Sequence, residues 1–214
     1  MLIPKQIQGS YDVAGFNNQK HLKALGNYIK HIPEESRVLE IGVGWGGSTW
    51  EILDNLPAGC ELHSCDTFQM NAPNLKQKHV DGVLKKHSHN SAIVYQMQVY
   101  QEQNQRAAFD WAVKQHPRYN KMMKRVHQAT SLSVLKDDLN WDCVYIDGLH
   151  SYNNVSLELK LCDHVHYICG DDYHPAHPGC KKAIDEFVDR NPERSFYHDP
   201  FESGSGFWSI TKKV

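Results

Sequence analysis

The segment Val38–Leu53, with the sequence VLEIGVGWGGSTWEIL, constrains the fold more than any other part of the chain. It begins as a short apolar strand, passes through a turn with four glycines, and ends with apolar residues at helical spacing. A strand that enters a helix through such a turn is typical of α/β sheets that bind nucleotide-like ligands. We therefore expect Gly42, Gly44 and Gly46 to approach a ligand, together with Ser48 at the start of the helix.

The rest of the chain alternates strand-like and helix-like patterns. Predicted strands follow at CELHSCDTF, KRVHQAT, DCVYIDG, HVHYICGDDY, RSFYHDP and GFWSITK. Predicted helices include HLKALGNYIKHIP, SLSVLKDDL and the segment after the glycine turn, which Ser48 or Thr49 would cap. Two more helices are predicted from their apolar faces. One face is marked by Val155, Leu159 and Cys162, and the other by Ala183, Ile184, Phe187 and Val188. This order predicts one α/β domain, residues 1–214, with a three-layer, Rossmann-like, doubly wound and mostly parallel sheet that ends in an antiparallel hairpin.

Residues 70–124 depart from this alternation. They are rich in Gln, Lys, Asn and His, and stretches such as Gln105–Gln115 have helical character. We expect a polar helical insertion there. It could be a solvated surface element, a lid over the active site, or a contact between copies in a homo-oligomer.

Composition limits the classes of function. The chain has 214 residues, 40% apolar residues and a net charge of −2, so it has no basic field that would favour DNA or RNA. No apolar stretch reaches the length of a membrane span or a signal peptide. The six cysteines include no C-x-x-C pair and are expected to be reduced, buried thiols. These features predict a cytoplasmic protein that acts on a small molecule, without nucleic-acid or membrane partners.

Two acids beside the glycine turn narrow the choice of ligand. Glu40 lies two residues before Gly42 on an apolar strand, where a carboxylate would suit a ligand's ammonium group better than a pyrophosphate. Asp66, at the end of the second strand, could accept both hydroxyls of a ribose. Asp66 fits NAD and S-adenosylmethionine equally, whereas Glu40 favours S-adenosylmethionine.

The motifs VLEIGVGWGGST and CDTFQ resemble the first two motifs of class I S-adenosylmethionine-dependent methyltransferases. DCVYIDGLHSYNNVSLELKL and ICGDDYHPAHPGCKKAIDEF resemble the latter half of the small-molecule O-methyltransferases related to macrocin O-methyltransferases. The resemblance covers about residues 36–68 and 125–190. It implies methyl transfer to a small-molecule hydroxyl, with Thr67, Thr130, Ser131 and Asp147 joining the cofactor site.

Three aspartates end two successive strands of the latter half. Asp147 follows one strand, and Asp171 and Asp172 follow the next, so they should converge at the edge that holds the glycine turn. Converging carboxylates favour a hard divalent cation such as Mg²⁺, Ca²⁺ or Mn²⁺. The resemblance implies the same, with these three acids holding a metal that orients the acceptor. Turn-forming aspartates are the alternative interpretation.

His150 is the predicted general base, because it follows Asp147 by three residues and has a pKa near neutrality. The narrower family usually has an acid where this chain has Leu149, and it tends to have Gly and Asp where this chain has Ala129 and Thr130. His174 and His177 are further candidates for ligand or substrate contacts, or ordinary loop residues.

Two other functions fit parts of the pattern. A nicotinamide-dependent oxidoreductase would use the same glycines, although Glu40 and the missing catalytic arrangement of such enzymes count against it. A non-catalytic cofactor-binding protein of the same fold is the other alternative. Leu149, which stands where the narrower family usually has an acid, would be the first sign that catalysis has been lost.

Overall fold

The computed structural model describes residues 6–14, 18–70 and 72–213. Its strands are β1 (Arg37–Ile41), β2 (Glu61–Asp66), β3 (Met123–Gln128), β4 (Cys143–Ile146), β5 (Tyr167–Gly170), β6 (Arg194–His198) and β7 (Trp208–Lys212). They form one sheet in the order β3-β2-β1-β4-β5-β7-β6. The first five strands are parallel neighbours, and β7 runs antiparallel to both β5 and β6. The predicted fold class, including the terminal antiparallel pair, is therefore confirmed.

Helices cover both faces of this sheet. They are α1 (Gln19–Ile29), α2 (Gly47–Asn55), α3 (Pro73–His87), α4 (Ser91–Glu102), α5 (Gln105–Val113), α6 (Tyr119–Met122), α7 (Ser131–Asp137), α8 (Tyr152–Leu161) and α9 (Pro178–Arg190), with short 3-10 turns at Ser10–Asp12 and Phe201–Ser203. Across the described residues, no helix is both long enough and apolar enough to cross a bilayer.

The alternation of β1 shows how the layers are built. Leu39 packs in one buried cluster with residues of α7, α8 and α9, whereas Val38 packs in a second cluster with residues of α1 and α2. Successive side chains of a strand point to opposite faces. Glu40 therefore shares the face of Val38 and lies under α2.

The start of α2 differs from the prediction. Its cap is Gly46, which has a φ of 104° and makes no side-chain cap bond. The predicted caps Ser48 and Thr49 lie inside the first turn, and their hydroxyls point inward to Glu40. The two hydroxyls bind the Glu40 carboxylate instead of capping the helix. Leaving that buried carboxylate unpaired would cost more free energy than leaving a backbone amide of α2 without a side-chain cap.

Four helices, α3 to α6, occupy the segment between β2 and β3. Three of them share an apolar cluster with Trp45 of the glycine turn, and the Trp45 and Tyr100 rings meet edge to face at 5.4 Å between centroids. Gln96 of α4 donates to the Trp45 carbonyl at 2.7 Å. These contacts place the helices directly over the glycine turn.

Candidate functional site

A cavity of about 880 Å³ lies at the carboxyl edge of the sheet, where ligands bind in sheets of this type. Its wall contains most of the predicted site residues: Gly42, Gly44, Ser48, Asp66, Thr67, Thr130, Ser131, Asp147, His150, Asp171, Asp172 and His177. Two predicted cofactor residues, Glu40 and Gly46, are not among its lining residues. His174 lines a smaller neighbouring cavity of about 270 Å³.

The glycine turn has steric reasons for two of its glycines. A Cβ on Gly42, which has a φ of 81°, would lie 2.1 Å from the Asp147 carbonyl oxygen, so glycine lets β1 and β4 end side by side. A Cβ on Gly46 would lie 2.7 Å from a methyl of Val113 in α5. Gly46 therefore packs against the inserted helices, and its contact with a ligand stays a prediction.

Glu40 is completely buried behind the cavity wall. Its carboxylate accepts hydrogen bonds from the hydroxyls of Ser48, Thr49 and Ser64, each at 2.7 Å. Burial raises the pKa of Glu40 to about 7, although the three hydroxyls lower it. Glu40 thus joins α2 and β2 to β1 through hydroxyls, and its contact with a ligand's ammonium group stays a prediction.

Asp66 shapes the glycine turn from the end of β2. Its Oδ2 accepts from the backbone amide of Val43 at 3.0 Å, and its Oδ1 accepts from the amide of Phe68 at 2.7 Å. Asp66 and Thr67 both face the cavity. A ribose contact therefore stays a prediction that the position of Asp66 allows.

The turn after β3 supplies Ala129, Thr130 and Ser131 to the wall. Thr130 caps α7, because its Oγ1 accepts from the amide of Ser133 at 3.3 Å. Ser131 faces the same cavity, and its hydroxyl lies beside the carboxyl of Glu158 in α8.

The three predicted metal ligands line the same cavity, but each carboxylate already has a protein partner. Asp147 accepts from the Tyr145 hydroxyl at 3.0 Å. Asp171 Oδ1 lies 3.2 Å from Nδ1 of His21, which is completely buried and whose Nε2 lies 2.9 Å from the Tyr145 hydroxyl.

Asp172 has two imidazole partners. Its Oδ2 lies 2.9 Å from Nδ1 of His150, and its Oδ1 lies 3.4 Å from Nε2 of His177. Within the described ranges, no group of three His, Cys, Asp or Glu side chains is arranged to hold a metal. The donor set as it stands does not fit the predicted divalent cation.

His150 is half-buried at the cavity wall. Burial lowers its pKa, but the hydrogen bond to Asp172 and the charges of the surrounding aspartates outweigh burial, and the net pKa is raised. The pKa of Asp172 is lowered despite burial, because His150 and His177 favour its ionised form. Asp172 therefore holds one ring nitrogen of His150 and leaves Nε2 for a ligand.

The loop before β7 holds the acid pair in place. Asp172 adopts a left-handed φ of 64°, and a Cβ on Gly206 would lie 2.6 Å from Asp171 Oδ1. The Ser205 carbonyl lies 3.1 Å from His21 Nδ1. Glycine is thus required where this loop meets the ends of β5.

Several wall residues escaped the sequence analysis. The segment before α1 contributes Ser10, Tyr11 and Val13, and the inserted region contributes Met70 and His87. His21 and Tyr145 were also missed. The sequence carries no signal for the wall residues or for His21, because they come from segments far apart in the chain that meet only in the folded protein. Tyr145 could have been found, since it lies two residues before Asp147 and strand alternation puts both on one face.

Solved structures share this fold. An O-methyltransferase from Bacillus cereus, in complex with S-adenosylhomocysteine, has 16% identity and a TM-score of 0.55 over 91% of this chain and 82% of that protein. A methyltransferase from Geobacter sulfurreducens has 10% identity and a TM-score of 0.54 over 92% of this chain and 80% of that one. A Corynebacterium glutamicum protein has 10% identity and a TM-score of 0.57 over 95% and 85%.

These likenesses establish the fold, which is one that methyltransferases use. No protein-family model matches the sequence. No curated protein matches it either. The narrower resemblance to macrocin-type O-methyltransferases therefore stays a prediction.

Proposed function

We propose that this protein is an S-adenosylmethionine-dependent methyltransferase that methylates a hydroxyl group of a small molecule. The observation that carries the proposal is the cavity itself, in which a glycine turn, Asp66 and the Asp172–His150 pair face one space. The fold likeness to an O-methyltransferase in complex with S-adenosylhomocysteine supports the same cofactor.

The charges of the wall favour this cofactor over a dinucleotide. Asp66, Asp147, Asp171 and Asp172 line the cavity, and its described lining residues include no Lys or Arg. S-adenosylmethionine carries a sulfonium and an ammonium group, which such a wall attracts, whereas it repels a pyrophosphate. The same argument disfavours nucleic-acid acceptors and the alternative of a nicotinamide-dependent oxidoreductase.

The chemistry assigned to the chain's own residues is a proton transfer. Asp172 orients His150, whose Nε2 accepts the proton of the acceptor hydroxyl. The acceptor oxygen forms a bond to the methyl carbon while the bond from that carbon to sulfur breaks. The products are the methyl ether, neutral S-adenosylhomocysteine and a protonated His150.

The proposal assigns no step to a metal. The divalent metal predicted from the sequence, with Mg²⁺ as the first choice, gets no support from the donor arrangement, since His21, Tyr145, His150 and His177 already hold the carboxylates. Cofactor binding titrated with and without Mg²⁺ tests that part separately.

Isothermal titration of the wild type with S-adenosylmethionine, S-adenosylhomocysteine and NADH tests the function. We expect binding of the first two ligands and none of NADH. Binding of NADH alone would instead favour the oxidoreductase. Cofactor binding without turnover on any hydroxyl compound would favour the non-catalytic alternative.

A further inference from the structure

A second buried glutamate lies behind the cavity wall, and the proposed mechanism does not use it. Glu158 of α8 is completely buried, and its Oε1 accepts from Nδ2 of Asn154 at 2.7 Å. A Cβ on Gly148 would lie 3.9 Å from the same oxygen. Burying a carboxyl group costs free energy, so we expect Glu158 to have a structural or functional role at this position.

Glu158 lies behind one particular part of the wall. Its neighbours Asn154, Gly148 and Ser131 are all lining residues of the large cavity. Burial raises the pKa of Glu158 to about 7, whereas Ser131 and Asn154 lower it. The side chain therefore connects the turn after β3, the turn after β4 and the first turn of α8.

This part of the wall runs from beside the acid pair to the far side of the cavity. Gly148 and Asn154 follow β4, next to β5, and the charge of His150 also lowers the pKa of Glu158. Ser131 follows β3, which among the five parallel strands is the farthest from β5. Leu149 lines the cavity beside Gly148, and its side chain is 66% exposed, so it offers an apolar face to a ligand. An apolar face next to an amide and a hydroxyl suits a planar heterocycle with polar edges.

We infer that this end of the cavity takes the adenine ring of the cofactor and that Asn154 reads its amino edge. The inference rests on the proposed function. The Asn154 amide is held through Nδ2, and no described residue donates to its Oδ1. An asparagine amide pairs with adenine by accepting from the exocyclic amino group and donating to a ring nitrogen.

Glu158 is then a positioning residue. It accepts from the amide nitrogen of Asn154 and so fixes which end of the amide the ligand meets. Without an acceptor behind it the amide could rotate, and a rotated amide would present a second donor to the amino group of adenine.

The experiment compares two ligands by isothermal titration: S-adenosylhomocysteine and S-inosylhomocysteine, in which a carbonyl oxygen replaces the exocyclic amino group. Asn154→Ala should weaken binding of the first about 2- to 10-fold more than binding of the second, the usual value of the one hydrogen bond that only the amino group can donate. Asn153→Ala is the matched control, because Asn153 is an exposed asparagine in the same helical turn. It should change neither affinity.

Two variants test the positioning residue. Glu158→Gln keeps an acceptor for Asn154 and should retain the preference for adenine. Glu158→Leu removes the acceptor and should lower the preference as much as Asn154→Ala does. Combining Glu158→Leu with Asn154→Ala should lower it no further, since both changes remove one interaction.

Equal loss of both ligands in Asn154→Ala, or a wild type that does not distinguish them, would overturn the inference while leaving the proposed function intact. Equal loss of both ligands in Glu158→Leu would make Glu158 merely structural and overturn its positioning role. A wild type that binds S-adenosylhomocysteine not at all would overturn the proposed function and the inference together.

Discussion

The buried carboxyl of Glu40 makes the stability of the protein depend on pH in a way that can be calculated. Its pKa is about 7 in the folded protein and about 4.5 in an unfolded chain, because burial disfavours the charged form. The folded state therefore binds this proton more tightly than the unfolded state does. The resulting stabilisation is fully present below about pH 4.5 and is lost as the pH rises through about 7.

Linkage between these two pKa values gives a loss of about 2–3 kcal/mol in the free energy of unfolding from pH 5 to pH 8. Glu40→Gln has no proton to lose, and its amide can still bond to the surrounding hydroxyls. We expect the wild type to lose about 2–3 kcal/mol more than Glu40→Gln over this interval.

Urea unfolding at several pH values measures the difference, and Glu34→Gln is the control because Glu34 is exposed. If wild type and Glu40→Gln have parallel pH profiles, Glu40 is not a buried carboxyl with a raised pKa. If Glu40→Gln also abolishes S-adenosylhomocysteine binding while remaining folded, Glu40 contacts the ligand as the sequence predicted, and its assignment to the region behind the wall fails.

Three further predictions concern the cavity. His150→Ala should lower turnover by about 10²-fold without changing affinity for S-adenosylhomocysteine. Wild-type turnover should fall as the pH drops through the raised pKa of His150. A wild-type turnover that does not change with pH would refute this. Asp66→Asn should weaken S-adenosylhomocysteine binding by about tenfold in a titration, because a charged acceptor is lost; unchanged affinity would remove Asp66 from the ligand site. Gly206→Ala should cost about 1–3 kcal/mol more in chemical unfolding than Gly204→Ala, because both glycines have a positive φ but a Cβ on Gly204 meets no atom within 4 Å; equal losses would show that Gly206 does not support Asp171.

Local patterns predicted the sheet well because each pattern reports burial directly. The run at Val38–Ile41 is a central strand buried on both faces, and the continuous apolar residues of β4 behave in the same way. Asp66, Asp147 and Asp171 each follow a parallel strand, and the carboxyl ends of parallel strands meet at one edge of a sheet. The sequence could therefore predict that these three residues lie at the same edge. Pattern could also have indicated where Glu40 points, since it shares the face of Val38.

The partners of the acids could be predicted only where they are close in the sequence. Tyr145 lies two residues before Asp147, a spacing that puts both side chains on one face of a strand. His21 lies in α1, and nothing near it in the sequence indicates that it meets Asp171. The role of Gly46 also depended on Val113, which is brought to it by the inserted helices.

The sequence by itself determined the fold class, the glycine turn and the placing of aspartates at strand ends. Strand alternation, glycine conformation and the order of strands and helices can be read from short segments of the chain. Tertiary structure decided which carboxylates line the cavity and which hydroxyls or imidazoles bind them. The physical reason is that a buried charge takes its partner from whatever element packs against it. Glu40 is paired by α2 and β2, and Asp172 by the turn that carries His150, and those contacts exist only once the layers have closed.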